Sequence, residues 1–175
     1  MPCSAPPCNE ALLPAASRSP ERWLQRFANF EKVLSRLESH LQARADFHDP
    51  DLLAGLVLRH YAFCFELAWK SLRDLLAWNG IDAKLPRQVI KQAFATGVIS
   101  NGQLWIDMLE DRPQFTADGE LEGDDGSDEA RAQLAVAATT VAETYIRELQ
   151  ACRDNLAARR EVELTEQAAG LEVAP

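Results

Sequence analysis

Charged side chains interrupt a long apolar segment of the chain, and they fall at helical spacing. They are Arg59, Glu66, Lys70 and Arg73. Successive members are seven, four and three residues apart, so on a helix they would share one strip. Glu66 and Lys70 also have the i,i+4 order that favours a salt bridge. Such a strip is either a solvated edge, with ion pairs worth under about 1 kcal/mol each, or the lining of a pocket or partner groove.

A group of bases lies further along the chain, around a predicted helix start at Pro86. Its members are Lys84, Arg87 and Lys91. Free backbone N–H groups and the helix dipole favour anions at such a start. A phosphate group or an acidic partner surface would suit this point. Ordinary surface lysines and arginines explain the pattern equally well.

A group of acids, Asp107, Glu110 and Asp111, precedes Arg112 at the end of another predicted helix. Carboxylates at i and i+4 could hold Mg²⁺ together with substrate phosphates. The sequence offers no third ligand at a suitable spacing, and acidic helix faces rarely bind metal. We therefore predict no metal site and no cofactor.

Residue patterns typical of catalysis are absent from the sequence. It contains no phosphate-binding loop, no serine-hydrolase elbow and no zincin motif. His60 falls on the apolar face of its predicted helix, where a packed histidine is the more common role. The four cysteines form no C-x-x-C pair, which predicts neither a metal site nor a disulfide frame and fits a reducing cytosol. We expect a cytoplasmic protein that is not an enzyme on its own.

The net charge of −9 is unevenly distributed. Residues 118–129 carry seven acids and no base, so the rest of the chain has a net charge of only −2. This acidic run predicts a solvated, mobile loop over residues 113–128. A general nucleic-acid binder would show a basic footprint, and we predict no such binding. No stretch approaches 18 consecutive apolar residues, so the sequence predicts no transmembrane helix.

The elements that must position these side chains are all predicted to be helical. Helix starts are indicated by Ser19-Pro20, Asp49-Pro50, Leu85-Pro86, Asn101 and Ser127, and stops by Asn79-Gly80 and Gly97. We expect an all-α, antiparallel up-and-down bundle of three long helices and two short ones over residues 19–160. Residues 1–18 and 161–175 are predicted to be flexible tails.

The second predicted helix is apolar around most of its circumference, apart from the charged strip. A helix of this kind is central and is covered on more than one side. In so small a bundle, a second copy of the chain could supply part of the cover. This pattern predicts a homodimer.

Three motifs occur in order: F-E-L-A-W-K at 65–70, P-R-Q-V-I-K-Q-A-F-A-T-G-V-I at 86–99 and L-W-I-D-M-L-E-D-R at 104–112. With this spacing, residues 22–156 resemble the nucleotidyltransferase substrate-binding proteins of the HEPN superfamily. The resemblance implies a helical bundle, usually homodimeric, that pairs with a separate minimal nucleotidyltransferase. The partner would supply the metal-binding carboxylates and the nucleotide site, and this chain the groove for the acceptor substrate. The positions that match the family motifs are Glu66, Lys70, Arg87, Asp107, Asp111 and Arg112.

The chain departs from the family pattern directly after Arg112. Many relatives continue with R-N-x-x-S-H-x-Y, whose Arg and His form a ribonuclease motif. Here the Asn, His and Tyr positions hold Pro113, Ala117 and Gly119. The chain therefore has no histidine at this position to act as general acid or base, and its acidic run would repel RNA phosphates. We do not expect it to cleave RNA by the family mechanism.

Three functions follow as hypotheses. The leading one is a non-catalytic, substrate-binding subunit of a small nucleotidyltransferase, with a partner or substrate surface formed by Arg59, Glu66, Lys70, Arg73, Arg87, Lys91, Asp107, Asp111 and Arg112. A small acceptor or a nucleotide would be its ligand. The alternatives are a HEPN-type ribonuclease toxin of a toxin–antitoxin pair and a purely structural helical dimerisation module.

Overall fold

The computed structural model describes residues 20–112 and 127–171, and within these ranges every regular element is helical. The α-helices are α1 (Pro20–Gln42), α2 (Pro50–Trp78), α3 (Pro86–Ala95), α4 (Gly102–Asp111), α5 (Asp128–Thr140) and α6 (Ile146–Leu171). A 3₁₀ turn, Ala43–Asp46, follows α1, and a π-helical turn, Val141–Tyr145, joins α5 to α6 in one continuous rod. The predicted all-α fold is confirmed.

Local signals in the sequence set most of the helix ends. The side chains of Asp49, Asn101 and Ser127 each accept a hydrogen bond from a backbone N–H in the first turn of the following helix. Gly80 and Gly97 follow α2 and α3 with φ of 81° and 68°, a left-handed conformation that glycine adopts at little cost. Ser19, the expected cap of α1, lies outside the described residues.

Helix α2 forms the centre of the bundle, as its broad apolar surface predicts. It packs against α1, α3, α5 and α6. Aromatic side chains from three helices fill the core around it, and Phe65 and Trp105 lie with ring centroids 5.7 Å apart. The largest fully buried side chains include Trp23, Phe27, Phe30, Tyr61, Phe65 and Trp105.

The three long helical rods are α1, α2 and the continuous α5–α6 rod, and the last two run in the same direction. Helix α1 runs antiparallel to α2, because Arg26 contacts Asp74 at one end and His40 contacts His60 further along. The α5–α6 rod runs parallel to α2, since Arg131 lies near Asp51 and Tyr145 stacks on Tyr61. The short helices α3 and α4 therefore carry the chain back along α2 before the last rod begins.

The last helix ends later than the sequence predicts. A tail was expected from residue 161, whereas α6 continues to Leu171. Residues 161–169 contain no Pro or Gly and are rich in Glu and Ala, which favour a helix. The predicted N-terminal tail and the acidic run up to residue 126 lie outside the described residues.

By length and composition, α2 is the one helix among the described residues that could cross a membrane. About half of its apolar window is buried inside the protein. A core helix of a bundle meets the same criterion, and α2 packs against four other helices. This observation alone is weak support for a membrane span.

Candidate functional site

The Glu66 carboxylate on α2 is the centre of a cluster that joins two helices. Lys70 Nζ lies 2.5 Å from Oε1, and the Trp69 indole Nε1–H donates to Oε2 at 3.0 Å. From the end of α4, the Arg112 guanidinium also donates to Oε2. We call Glu66, Trp69, Lys70 and Arg112 the Glu66 cluster.

Two opposing effects act on the Glu66 side chain, which is 27% exposed. Partial burial would raise the pKa of its carboxyl group. The hydrogen bonds from Lys70 and Trp69 and the charge of Arg112 outweigh this effect, so the pKa is lowered. Glu66 is therefore held as a carboxylate at neutral pH and acts as the anchor for two cations.

A second cluster lies nearer the C-terminal end of α2, around Asp74, whose side chain is only 7% exposed. Arg26 Nε lies 2.6 Å from Oδ2, and Arg73 Nη2 lies 2.9 Å from Oδ1. Arg22 Nε approaches Oδ2 at 3.6 Å. We call Arg22, Arg26, Arg73 and Asp74 the arginine cluster. Only Arg73 was predicted as a site residue.

The signal for the other members was nevertheless present in the sequence. Asp74 is an acid inside a long apolar helix, and a buried acid needs a cationic partner. Arg22 and Arg26 stand at i and i+4 on the preceding helix, so they share one face. Pairing the two observations would have required knowing that the start of α1 lies beside the end of α2.

The Trp69 ring connects the two clusters. Lys70 Nζ and Arg73 Cζ each lie 5.7 Å from its ring centroid, within the range of cation–π attraction. Together the clusters form what we call the basic ribbon. Its five bases and two acids give it a formal charge of +3. The whole chain carries −9, so the ribbon contrasts with the rest of the protein.

The two predicted site aspartates at the end of α4 accept hydrogen bonds from different partners. Asp111 accepts a hydrogen bond from the Tyr145 hydroxyl in the π turn, and Asp107 accepts one from Gln103 Nε2 at 2.9 Å. Burial and the Asp111 carboxylate raise the pKa of Tyr145 above its usual value, so its hydroxyl stays protonated as the donor. Among the described residues, no group of three or more His, Cys, Asp or Glu side chains could hold a metal ion.

The remaining predicted site residues lie apart from the ribbon. Arg87 is exposed and pairs with Glu110 at 2.6 Å across α3 and α4. Lys91 lines an open groove between the same two helices, beside Ile90, Phe94 and Ile106. Arg59 is exposed on α2. The structure thus brings together Glu66, Lys70, Arg73 and Arg112, and leaves Arg59, Arg87, Lys91 and the two aspartates outside that group.

Potential nucleophiles and bases elsewhere in the described residues are placed for packing. Cys64 and Cys152 are buried free thiols, and burial raises the pKa of both. His60 Nδ1–H donates to the Leu56 carbonyl at 2.8 Å, and its ring lies 4.5 Å from that of His40. Burial, together with His60, lowers the pKa of His40. His40 lies 14 residues along α1 from Arg26, roughly 20 Å away at 1.5 Å per residue.

The described residues thus form an all-helical bundle with a basic ribbon on its surface. Residues 25–117, slightly more than half of the chain, match the family described as nucleotidyltransferase substrate binding protein like. The chain therefore belongs to the nucleotidyltransferase substrate-binding protein family. A search of curated proteins found no significant match. The matched range contains the whole Glu66 cluster, whereas Arg22 precedes it.

Proposed function

We propose that this chain is a non-catalytic accessory subunit that pairs with a separate small nucleotidyltransferase and helps to present its acceptor substrate. One observation carries the proposal. Arg112, which ends the third sequence motif, bonds Glu66 in the first motif, so family motifs 46 residues apart meet at one surface. The apolar core alone would hold the bundle together, so folding does not require the charged Glu66 cluster.

The chemistry of the ribbon suits this role. Lys70, Arg73 and Arg112 present cations toward a surface that could accept the phosphates of a nucleotide or of an acceptor. Glu66 is bonded by three donors and orients them. The transferase partner would provide metal-binding carboxylates and the nucleotide site, and the pair would act in the cytoplasm.

We also propose that two copies of the chain associate through the N-terminal half of α2. Leu52 and Phe63 are 56% and 57% exposed there. Their separation of eleven residues is close to three helical turns, so they lie on one side of the helix. Exposed large apolar side chains on one face are typical of an interaction surface. The charged half of α2 would remain available to the transferase.

The proposal predicts a small nucleotidyltransferase encoded beside this chain, and it is tested by expressing the two proteins together. We expect the two proteins to co-purify and the transferase activity to depend on this chain. Lys70→Glu should weaken the complex or raise the acceptor KM by about tenfold, because it places a second acid beside Glu66. Lys32→Glu, an equal charge change at an exposed position on α1, should have no effect.

Two results would contradict the proposal. One is failure of the proteins to co-purify together with activity that is indifferent to this chain. The other is an unchanged complex and an unchanged KM with Lys70→Glu, as a purely structural dimerisation module would give.

RNA cleavage is not the function that these residues support. The position of the family's histidine holds Ala117, outside the described residues, and Arg112 is already bonded to Glu66. Expression of the chain alone should therefore be harmless to growth. RNA cleavage abolished by Arg112→Ala would overturn this expectation.

A further inference from the structure

The arginine cluster contains more positive charge than its carboxylate can neutralise. Three guanidinium groups lie within 3.6 Å of Asp74, and each is permanently charged. One carboxylate leaves a local charge of +2. An ion pair between α1 and α2 requires only Arg26, whose 2.6 Å contact with Asp74 already joins the two helices.

The contacts with Asp74 also leave donors free. Arg22 and Arg26 approach the carboxylate through Nε, and Arg73 uses Nε and Nη2. A guanidinium group has five N–H donors. Within the described parts of the chain, the hydrogen bonds to Asp74 use Nε of Arg26 and Nε and Nη2 of Arg73, so the Nη groups of Arg22 and Arg26 and the Nη1 group of Arg73 donate no hydrogen bond. The three side chains are 51%, 25% and 26% exposed, so each of them reaches the surface.

The cluster is held in place before any ligand arrives. Asp74 is almost fully buried and accepts hydrogen bonds from Arg26 and Arg73, which fixes these two guanidinium groups, while Arg22 lies 3.6 Å away. The Trp69 ring lies 5.7 Å from Arg73 Cζ and supports that side chain from one side. The nearest acid along the ribbon, Glu66, is occupied by Lys70 and Arg112. Fixed side chains lose less conformational freedom on binding, which favours affinity.

The residual charge indicates the class of ligand. A phosphomonoester carries about −1.5 to −2 charges at pH 7 and has three acceptor oxygens. That matches both the +2 of the cluster and its three sets of unused donors, whereas a carboxylate would offer one charge and two oxygens. Guanidinium groups also bind phosphate oxygens in pairs.

We propose that Arg22, Arg26 and Arg73 form a binding site for a phosphate group, held in shape by Asp74. The ligand is a small phosphate-bearing molecule, or inorganic phosphate itself. The site deepens the proposed function, because it would make the presented acceptor or nucleotide an anionic one. It is tested on this chain alone, so its outcome is separate from that of the co-purification experiment.

The experiment is a calorimetric titration of the full chain in low-salt, phosphate-free buffer with inorganic phosphate, AMP and adenosine. We expect phosphate and AMP to bind, with affinity that falls as salt rises, and adenosine not to bind. Stronger binding of AMP than of phosphate would identify a nucleotide-like ligand, and equal binding would identify the phosphate group alone.

Arg22→Gln is the most informative variant, because this side chain is half exposed and its 3.6 Å contact contributes little to the fold. It should weaken AMP and phosphate binding about tenfold, the loss of one charge-assisted hydrogen bond, with an unchanged melting temperature. Arg44→Gln, the same change roughly 30 Å away beyond the other end of α1, should leave binding unchanged.

Three results would overturn the proposal: no binding of either phosphate or AMP, equal binding of AMP and adenosine, or equal affinity in Arg22→Gln and the unmodified protein. The melting temperature separates a lost contact from a lost fold. A variant that binds weakly and also melts early is replaced by Arg22→Lys, which keeps one charge and should recover part of the affinity.

Discussion

Only some of the contacts made by the side chains of the ribbon can be predicted from residue spacing. The Glu66–Lys70 ion pair follows from their spacing and is present at 2.5 Å. The same carboxylate also accepts from Trp69 and from Arg112 on another helix. With three donors in contact, Glu66 is better fixed than an isolated surface pair, which is usually worth little.

At this scale we predict a pH-dependent role for Glu66 in stability. Its pKa in the folded protein is lowered from 4.5, so the ionised form stabilises the fold at higher pH. That contribution is fully present above about pH 4.5 and is lost as the pH falls through the lowered value. After allowance for solvent screening, Glu66→Gln should cost under about 1 kcal/mol at pH 7.

The measurement is the urea midpoint of the unmodified protein and of Glu66→Gln between pH 3 and pH 7. The difference should shrink below pH 4.5. Glu161→Gln, at an exposed position of α6, serves as the control and should show no such convergence. A difference that stays constant across this range would contradict the assigned electrostatic role.

Single helices in this protein are positioned by polar contacts as well as by the apolar core. Asp74 connects the end of α2 with the start of α1 through Arg26. Farther along α1, Glu38 accepts from Arg153 of α6 at 3.1 Å. The π turn places Tyr145 between Tyr61, whose ring centroid is 5.5 Å away, and Asp111 at the end of α4. Each contact fixes how one helix lies against another.

At the scale of the element we predict that Asp74→Ala weakens the α1–α2 contact. The change removes hydrogen bonds from Arg26 and Arg73 to a buried carboxylate, and it should lower the free energy of unfolding by about 1–3 kcal/mol. Asp154→Ala also removes a carboxylate paired with an arginine, but at a 67% exposed position. This control should stay within about 0.5 kcal/mol. Equal urea midpoints for the two variants would contradict the prediction.

The chain as a whole is acidic, whereas its described residues include a basic face and leave part of the central helix exposed. Because α3 and α4 return the chain along α2, the charged half of α2 meets the end of α4 at Arg112. The other half keeps Leu52 and Phe63 exposed. This division would separate the proposed surface for anions from the proposed surface for self-association.

At this scale we predict that Phe63→Glu converts a dimer into a monomer. The unmodified chain should have a solution mass near twice its 19.5 kDa, because burying two copies of Phe63 and Leu52 favours association. A glutamate at position 63 would have to be desolvated in that interface. Sedimentation equilibrium or light scattering measures the mass.

Val136→Glu provides the matched control for the dimer prediction, since Val136 is an exposed apolar residue on α5. It should leave the mass unchanged. A monomeric unmodified protein, or a dimer that tolerates Phe63→Glu and Val136→Glu alike, would show that this face is not the interface.

Much of the fold follows from local signals in the chain. Asp49, Asn101 and Ser127 cap the helices that they were predicted to begin, and Gly80 and Gly97 follow helix ends in left-handed conformations. The apolar circumference of α2 predicted its central place. These features depend on backbone hydrogen bonding and on side-chain periodicity, which act over a few residues and can be read from the sequence.

The sequence by itself determined the helices, the apolar core helix and the pairing of Glu66 with Lys70. Tertiary structure alone decided that Arg112 completes the Glu66 cluster and that Arg22 and Arg26 gather with Arg73 around Asp74. The physical reason is range. Caps, turns and i,i+4 pairs involve neighbours along the chain, whereas the basic ribbon depends on which ends of α1, α2 and α4 lie side by side, and packing of the whole bundle sets that arrangement.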